Sequence, residues 1–289
     1  MTLSHESSQL AVVSGASTGM GRATAVELSR RGFDVLAGVR RASDGKALRQ
    51  AGIEPVILDI TEPDTIAALR DRIDSHHDER PLRVLVNNAG IAANAPVEAL
   101  PLEVWRRVFE VNVFGQIALT QALLPALHRS GGRVVDISST GGRIAMPAYG
   151  AYSGSKFAIE AISDAMRQEL APQGVQVVIV EPGGVRTAMG DRGSAVARDL
   201  HSQMTVEQHD RYDRLMAAFL SHSATFASEG VSAEEAAKVI ARAATDRRPR
   251  TRYTIGRDAA LLTRLARILP DRMMDRAIAR TLRPHYPKA

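Results

Sequence analysis

Short unbroken apolar runs recur along the chain at 10–14, 34–39, 55–58, 83–86, 133–138, 175–180 and 253–255. Most are Val, Ile and Leu without polar alternation, the pattern of strands covered on both faces. Between them lie longer stretches with apolar residues at helical spacing, at about 22–31, 63–76, 103–130, 152–171 and 233–244. Thr61 followed by Pro63 and Asp64 predicts a helix start capped by Thr61. This alternation predicts an α/β fold: a doubly wound, seven-stranded parallel sheet with helices on both faces. The stretch 188–229 breaks the rhythm and reads as a mostly helical insertion before the last crossover. Beyond 257 the pattern predicts a helical extension, with helices at 258–269 and 271–282 separated by Pro270. No internal repeat or low-complexity linker interrupts the chain, so 1–289 reads as one domain.

Composition narrows the picture. With 45% hydrophobic and 24% charged residues in 289, the chain matches an ordinary globular protein. It has no cysteine, which excludes disulfides, zinc–thiolate sites, iron–sulfur clusters and cysteine nucleophiles. No apolar run approaches the ~20 residues that a membrane span requires. Residues 1–9 are polar, with neither the basic nor the apolar region of a secretory signal, so a cytoplasmic location is expected. The net charge of +5 is uneven: from Arg247 onward there are 12 Lys/Arg against 3 Asp/Glu, and the first 246 residues are net acidic. Basicity confined to a tail, with only 4% aromatics for base stacking, argues against a nucleic-acid partner. The eight histidines show no ligand spacing with carboxylates and read as solvated surface, so no metal is expected.

Two motifs carry chemistry. The first strand ends Ser14-Gly15-Ala16-Ser17-Thr18-Gly19-Met20-Gly21 and runs into a helix. Glycines there permit a tight turn and close approach of a pyrophosphate, which rests on the helix N-terminus, as in a Rossmann-type dinucleotide site. The spacing is G-x-x-x-G-x-G rather than the commoner G-x-G-x-x-G. The second motif is Tyr152-Ser153-Gly154-Ser155-Lys156 at a helix start. Residues i and i+4 share a helix face, so the ammonium sits near the phenol and favours its phenolate. Lysine is rare here, at four of 37 basic residues, and its placement at 156 suits a compact point charge in a proton relay.

Further motifs fall after successive strands: Asn87-Asn88-Ala89-Gly90, Val111-Asn112-Val113, Ser138-Ser139 and Pro182-Gly183-Gly184-Val185-Arg186-Thr187. In a doubly wound sheet these gather at the carboxyl ends of the strands, where ligands bind. Together the chain resembles the short-chain dehydrogenase/reductase family, motif by motif from Leu10 to Thr187 and more loosely to Ile255. Ser14 for the usual Thr and Met20 for the usual Ile are small departures.

The resemblance implies roles. Tyr152 would be the general acid/base, Ser139 would hold the substrate oxygen, and Lys156 would bind the nicotinamide ribose and lower the tyrosine pKa. Asn112 would support a proton-relay water. Gly15, Ser17, Thr18, Gly19, Met20 and Gly21 would form the pyrophosphate turn. Asp59 and Ile60 would meet the adenine, and Asn87 the adenosine side. Pro182, Gly183, Val185 and Thr187 would face the carboxamide end. Tyr149 and Met189 would wall the substrate pocket. Asn88 is expected to tie neighbouring strands together.

The second strand ends in neutral Val39, followed by Arg40 and Arg41. A carboxylate there would favour NAD, whereas a guanidinium can grip the 2′-phosphate of NADP. The expected cofactor is therefore NADP (NADPH), read by Arg40. The expected reaction is exchange of a hydrophobic secondary alcohol with its ketone, by resemblance to steroid- and retinol-active members. The alternatives are a 3-oxoacyl thioester reductase and a non-enzymatic cofactor-binding sensor or scaffold. The tail could dock on its own domain, lie on an anionic membrane surface, cover the substrate site, or pack on a second subunit; the family tendency is a homodimer or homotetramer.

Overall fold

The computed structural model describes residues 9–76 and 78–288; the expectation for 1–8 lies outside them. Seven parallel strands form one sheet in the order β3-β2-β1-β4-β5-β6-β7. They are β1 (Gln9–Val13), β2 (Phe33–Val39), β3 (Glu54–Ile57), β4 (Leu82–Asn87), β5 (Arg133–Ile137), β6 (Gln176–Pro182) and β7 (Arg252–Ile255). The order reverses between β1 and β4, opening a crevice at their carboxyl ends where crossovers leave in opposite directions. All seven expected strands are present within one or two residues.

Helices α1 (Gly19–Arg30) and α9 (Ala233–Thr245) pack together on one face, over a core that includes Val13, Leu28, Val86 and Ile240. The other face carries α3 (Pro63–Asp74), α5 (Gly115–Ser130) and α6 (Gly150–Leu170), closing over Leu36, Leu69, Leu85 and Leu123. Strands this apolar on both sides have no solvated face to spare, which is why the helices must cover both. The short helix α2 (Lys46–Gln50) has too few turns for a periodic signal and is not foreseen by the pattern.

The long helix expected at 103–130 is instead α4 (Leu102–Phe109), a π-turn at Glu110–Phe114, and α5. Gly115 lies so close to β3's exit that a Cβ would stand 2.7 Å from the Ile60 carbonyl oxygen. The helix is held against that carbonyl, and the π-turn absorbs the mismatch in register. Thr61 does not cap α3. Glu62 occupies that position without a side-chain bond, because Pro63 starts the helix one residue later. The Thr61 hydroxyl instead donates to Asp59 Oδ1 at 2.8 Å.

The insertion is a helix pair, α7 (Ala188–Ser202) and α8 (Val206–Glu229). It rests on a third apolar cluster, including Leu100, Val108, Leu200, Met204, Met216 and Phe219. Beyond β7 come α10 (Arg257–Ile268) and α11 (Asp271–Leu282). The first packs on β7; the second, with the turn Arg283–His285, packs on α8, so the tail docks back on its own chain. Among the described residues no helix is long and apolar enough to cross a membrane.

Candidate active site

The glycine turn leaves β1 in the conformation its sequence demands. Gly15 and Gly19 have φ of +64° and +56°, the left-handed region that disfavours side chains. A Cβ on Gly15 would stand 2.8 Å from the Ala89 Cα, and one on Gly21 2.4 Å from Asn88 Nδ2. Asn88 explains the second contact: its amide donates to the Ser14 and Gly15 carbonyls, tying β4's exit to β1's as expected. Ser14 Oγ completes the tie by accepting from the Asn88 and Ala89 backbone N–H groups. Thr18 stands at the N-cap of α1 without a side-chain bond to the helix N–H groups. A cradle that a Cβ would fill, beneath a helix start with no capping side chain, fits a pyrophosphate. Gly19 faces Thr187 across this cradle, with a notional Cβ at 3.2 Å. The turn and the loop after β6 are thus brought together, while the Met20 side chain packs on the core.

The region expected to meet the adenine lies at the ends of β2 and β3. Arg41 is engaged by Asp44, whereas Arg40 stands exposed at the strand's end. Asp59 is held below the ordinary carboxylate range. Burial alone would raise it, but hydrogen bonds from Thr61 and the charges of Arg40 and Arg107 outweigh that. Ile60 is buried beside it. Asn87 does not present its side chain to this region. Its amide nitrogen is buried and donates to Thr120 Oγ1 and Asp136 Oδ1, both at 2.8 Å.

The corner expected to react lies between β5 and α6. Ser139 follows β5, and its Oγ accepts from the Gly141 N–H in the turn Thr140–Gly142. Tyr152 and Lys156 sit one turn apart on α6, with the Lys156 Nζ 5.9 Å from the phenol ring centre. Nζ donates to the Ile137 carbonyl at 2.8 Å. Burial holds the Lys156 pKa down to about 8, against the pull of Asp136 and Glu160. Burial also raises the Tyr152 phenol, opposed by a hydrogen bond with Ser139 and reinforced by Tyr149. Lys156 is not among the groups that shift the phenol, so the expected lowering by Lys156 does not enter and desolvation sets the direction.

Asn112 lies in the π-turn. Its side chain bridges the Ile91 N–H and carbonyl, at 2.8 and 2.9 Å, and donates to Ser155 Oγ at 3.0 Å. The side chain is thus a brace between β4's exit and α6, leaving its main chain to hold any relay water. Tyr149 is oriented by Ala148, whose φ of +66° is the only positive value at a described non-glycine residue. Its ring meets Tyr152 and Phe219 edge-on, at 6.2 and 5.2 Å. Pro182 ends β6 and pairs with β7, the Gly183 N–H just beyond it donates to the Ile255 carbonyl, Val185 bridges to Val231, and Thr187 stands at the N-cap of α7 without a side-chain bond. Met189 is half-buried in the first turn of α7.

Beneath these groups is a buried ionic layer that motif reading missed. Asp136 accepts from Asn87 and Ser163, and its pKa is pushed up by burial. Arg252 of β7 reaches Glu160 Oε2 at 3.0 Å, Asp164 Oδ2 at 2.7 Å and Glu181 Oε1 at 3.4 Å. It fastens α6 to β6 and β7. The visible signal was acidic residues inside apolar runs, Asp136 within Val134-Val135-Asp136-Ile137 and Glu181 after Val180.

A family model described as short chain dehydrogenase matches residues 9–196. Over 91% of this chain and 85% of its own, retinol dehydrogenase 5 of Mus musculus is 36% identical. An NADPH-dependent 3-dehydrocapnine reductase of Ornithobacterium rhinotracheale is 31% identical over 94% of this chain and 97% of its own. Among solved structures, a short chain dehydrogenase from Burkholderia cenocepacia J2315 in complex with NADP superposes with a TM-score of 0.72. It is 26% identical, over 95% of this chain and 97% of that one.

Proposed function

The chain belongs to the short-chain dehydrogenase/reductase family, and from that premise we propose that it interconverts a bulky hydrophobic secondary alcohol and its ketone with NADP(H). The observation that carries the reading is the half-buried Tyr152 beside Ser139 and Lys156, faced by the aromatic wall of Tyr149 and Phe219. An apolar wall around a few convergent polar groups suits an apolar substrate with one reacting oxygen. The relatives named for retinol and 3-dehydrocapnine support that class.

When bound, the dinucleotide supplies or accepts the hydride. The chain's own groups handle the proton. In reduction the Ser139 and Tyr152 hydroxyls donate hydrogen bonds to the carbonyl oxygen, and Tyr152 passes its proton to that oxygen as negative charge develops. Burial keeps the phenol protonated at neutral pH, as a general acid must be. The phenolate left behind is favoured by Lys156, which at a pKa of about 8 is mostly charged at neutral pH. In oxidation the same groups run in reverse, with the phenolate as base.

NADP selectivity rests on exposed Arg40 following neutral Val39, with Asp59 close enough to feel its charge. A charge-assisted phosphate contact is worth ~1.5–3 kcal/mol, or tenfold or more in preference. The test is kcat/KM with NADPH and NADH on hydrophobic ketones and on small polar sugars or acids, in wild type and Arg40→Asp. Turnover of polar substrates alone would overturn the substrate class. Equal cofactor use, or no shift in the variant, would overturn the NADP assignment. Self-association through the helices holding Asn112 and Tyr152 belongs to the same reading, since Phe114 and Phe157 are exposed there; a monomer by light scattering would refute it.

A further inference from the structure

The turn joining α7 to α8 gathers three groups that the expectation of scattered surface histidines kept apart. His201 lies in the last turn of α7, and His209 and Asp213 lie one turn apart near the start of α8. His201 Nε2 stands 2.7 Å from Asp213 Oδ1, and His209 Nδ1 stands 2.6 Å from the same oxygen. The two imidazoles meet edge-to-face, with centres 4.9 Å apart. One nitrogen from each ring and one carboxylate oxygen all lie within 4.8 Å of one another.

We propose that His201, His209 and Asp213 form a binding site for one divalent transition-metal ion of the zinc class, which clamps the α7–α8 turn. Two imidazoles and a carboxylate are the donor set that zinc, cobalt(II) and nickel(II) accept, while magnesium and calcium prefer oxygen alone. Bonds of ~2.0–2.2 Å in tetrahedral array place the donor atoms about 3.3 Å apart. The two nitrogen–oxygen separations, now 2.7 and 2.6 Å, would each open by about 0.6–0.7 Å, within the freedom of the half-exposed Asp213 side chain. That exposure also leaves one side of the site open for water as a fourth ligand. To bind the ion, each neutral ring would offer the lone pair of the nitrogen that now faces the carboxylate, its single proton moving to Nδ1 in His201 and to Nε2 in His209.

The backbone supplies the preorganisation. His209 and Asp213 are at i and i+4 on one helix face. Thr205 caps that helix through a reciprocal box with Gln208, fixing where α8 begins relative to the end of α7. Buried Leu200 and Met204 hold the turn from beneath. The site lies at the hairpin's closed end, separate from the reacting corner, and does not depend on the catalytic reading.

The test uses the full chain without any affinity tag, stripped with chelator and titrated with cobalt(II) by visible absorption and with zinc by calorimetry. The expected result is one ion per chain, with the absorption of a four- or five-coordinate nitrogen/oxygen site. His201→Ala, His209→Gln and Asp213→Asn should each weaken binding about tenfold or more, while His128→Ala leaves it unchanged. Hydrogen exchange at 200–206 should slow when zinc is bound to the wild type. Absence of stoichiometric binding, or binding undiminished in the His201→Ala/His209→Gln double variant, would overturn the proposal. Because the wild-type titration stands alone, a variant that failed to fold would not protect it.

Discussion

The floor of the candidate active site and its proposed wall are stabilised in different ways. The floor, β5 with the first half of α6, is polar and buried. Asp136, Lys156 and Glu160 have directional partners in Asn87, Ser163, the Ile137 carbonyl and Arg252. The wall, α7 and α8, rests on Leu200, Met204, Met216 and Phe219, which pack by apolar burial. Reacting atoms must be held to fractions of an ångström, and hydrogen bonds supply direction as well as energy. A wall needs only shape and volume, which aliphatic and thioether side chains provide with tolerance for substitution. Chemistry and specificity should therefore respond separately to mutation.

The largest effect is expected on the floor. Tyr152→Phe should lower turnover by about 10²–10⁴-fold while dinucleotide binding, followed by fluorescence titration, is retained. A matching loss of binding would place the phenol outside the chemistry and blur the distinction between floor and wall.

On the wall, Phe219→Ala should cost about 3–5 kcal/mol of stability in urea unfolding, because it empties a fully enclosed site. Its catalytic signature should be a raised KM for large substrates with a smaller change in kcat. A fall in kcat alone would mean the wall positions the reacting groups directly.

The floor also has a pH signature. Lys156 has a folded pKa of about 8 against an ordinary 10.5, so the cost of burying its charge is fully present below 8. Between those values the unfolded chain binds more protons, and wild-type stability should rise with pH relative to Lys156→Met. The relative gain should reach up to about 3 kcal/mol. Parallel stability–pH curves would show that Lys156 is not held as a buried cation.

The smallest effect belongs to the wall's rim. Thr205→Ala removes the cap of α8, and denaturant unfolding should register about 1 kcal/mol with little change in kcat. A large loss of activity would reveal that the α7–α8 turn is coupled to the reacting corner.

Legibility in the sequence follows the range of each contact. The parallel strands were readable because burial on both faces leaves an unbroken apolar run. Tyr152 and Lys156 were readable because helix geometry alone brings i and i+4 together. Thr61 was misplaced as a cap because Asp59, two residues earlier, takes both its backbone N–H and its hydroxyl. Asn87 and Asn112 are legible by motif, whereas the segments their side chains brace, Thr120 and Ile91, are not.

The sequence by itself determined the alternation of strands and helices, the glycine turn opening onto α1, and the spacing of Tyr152 and Lys156. Each is set by neighbours within a few residues, through backbone sterics or helical period. Only the tertiary structure decided that Arg252 fastens Glu160 and Glu181, and that His201 meets His209 and Asp213. It also decided that Phe219 closes on Tyr149. Those encounters depend on how the chain returns after the long excursions between strands, and side chains that meet that way leave no period in the sequence to read.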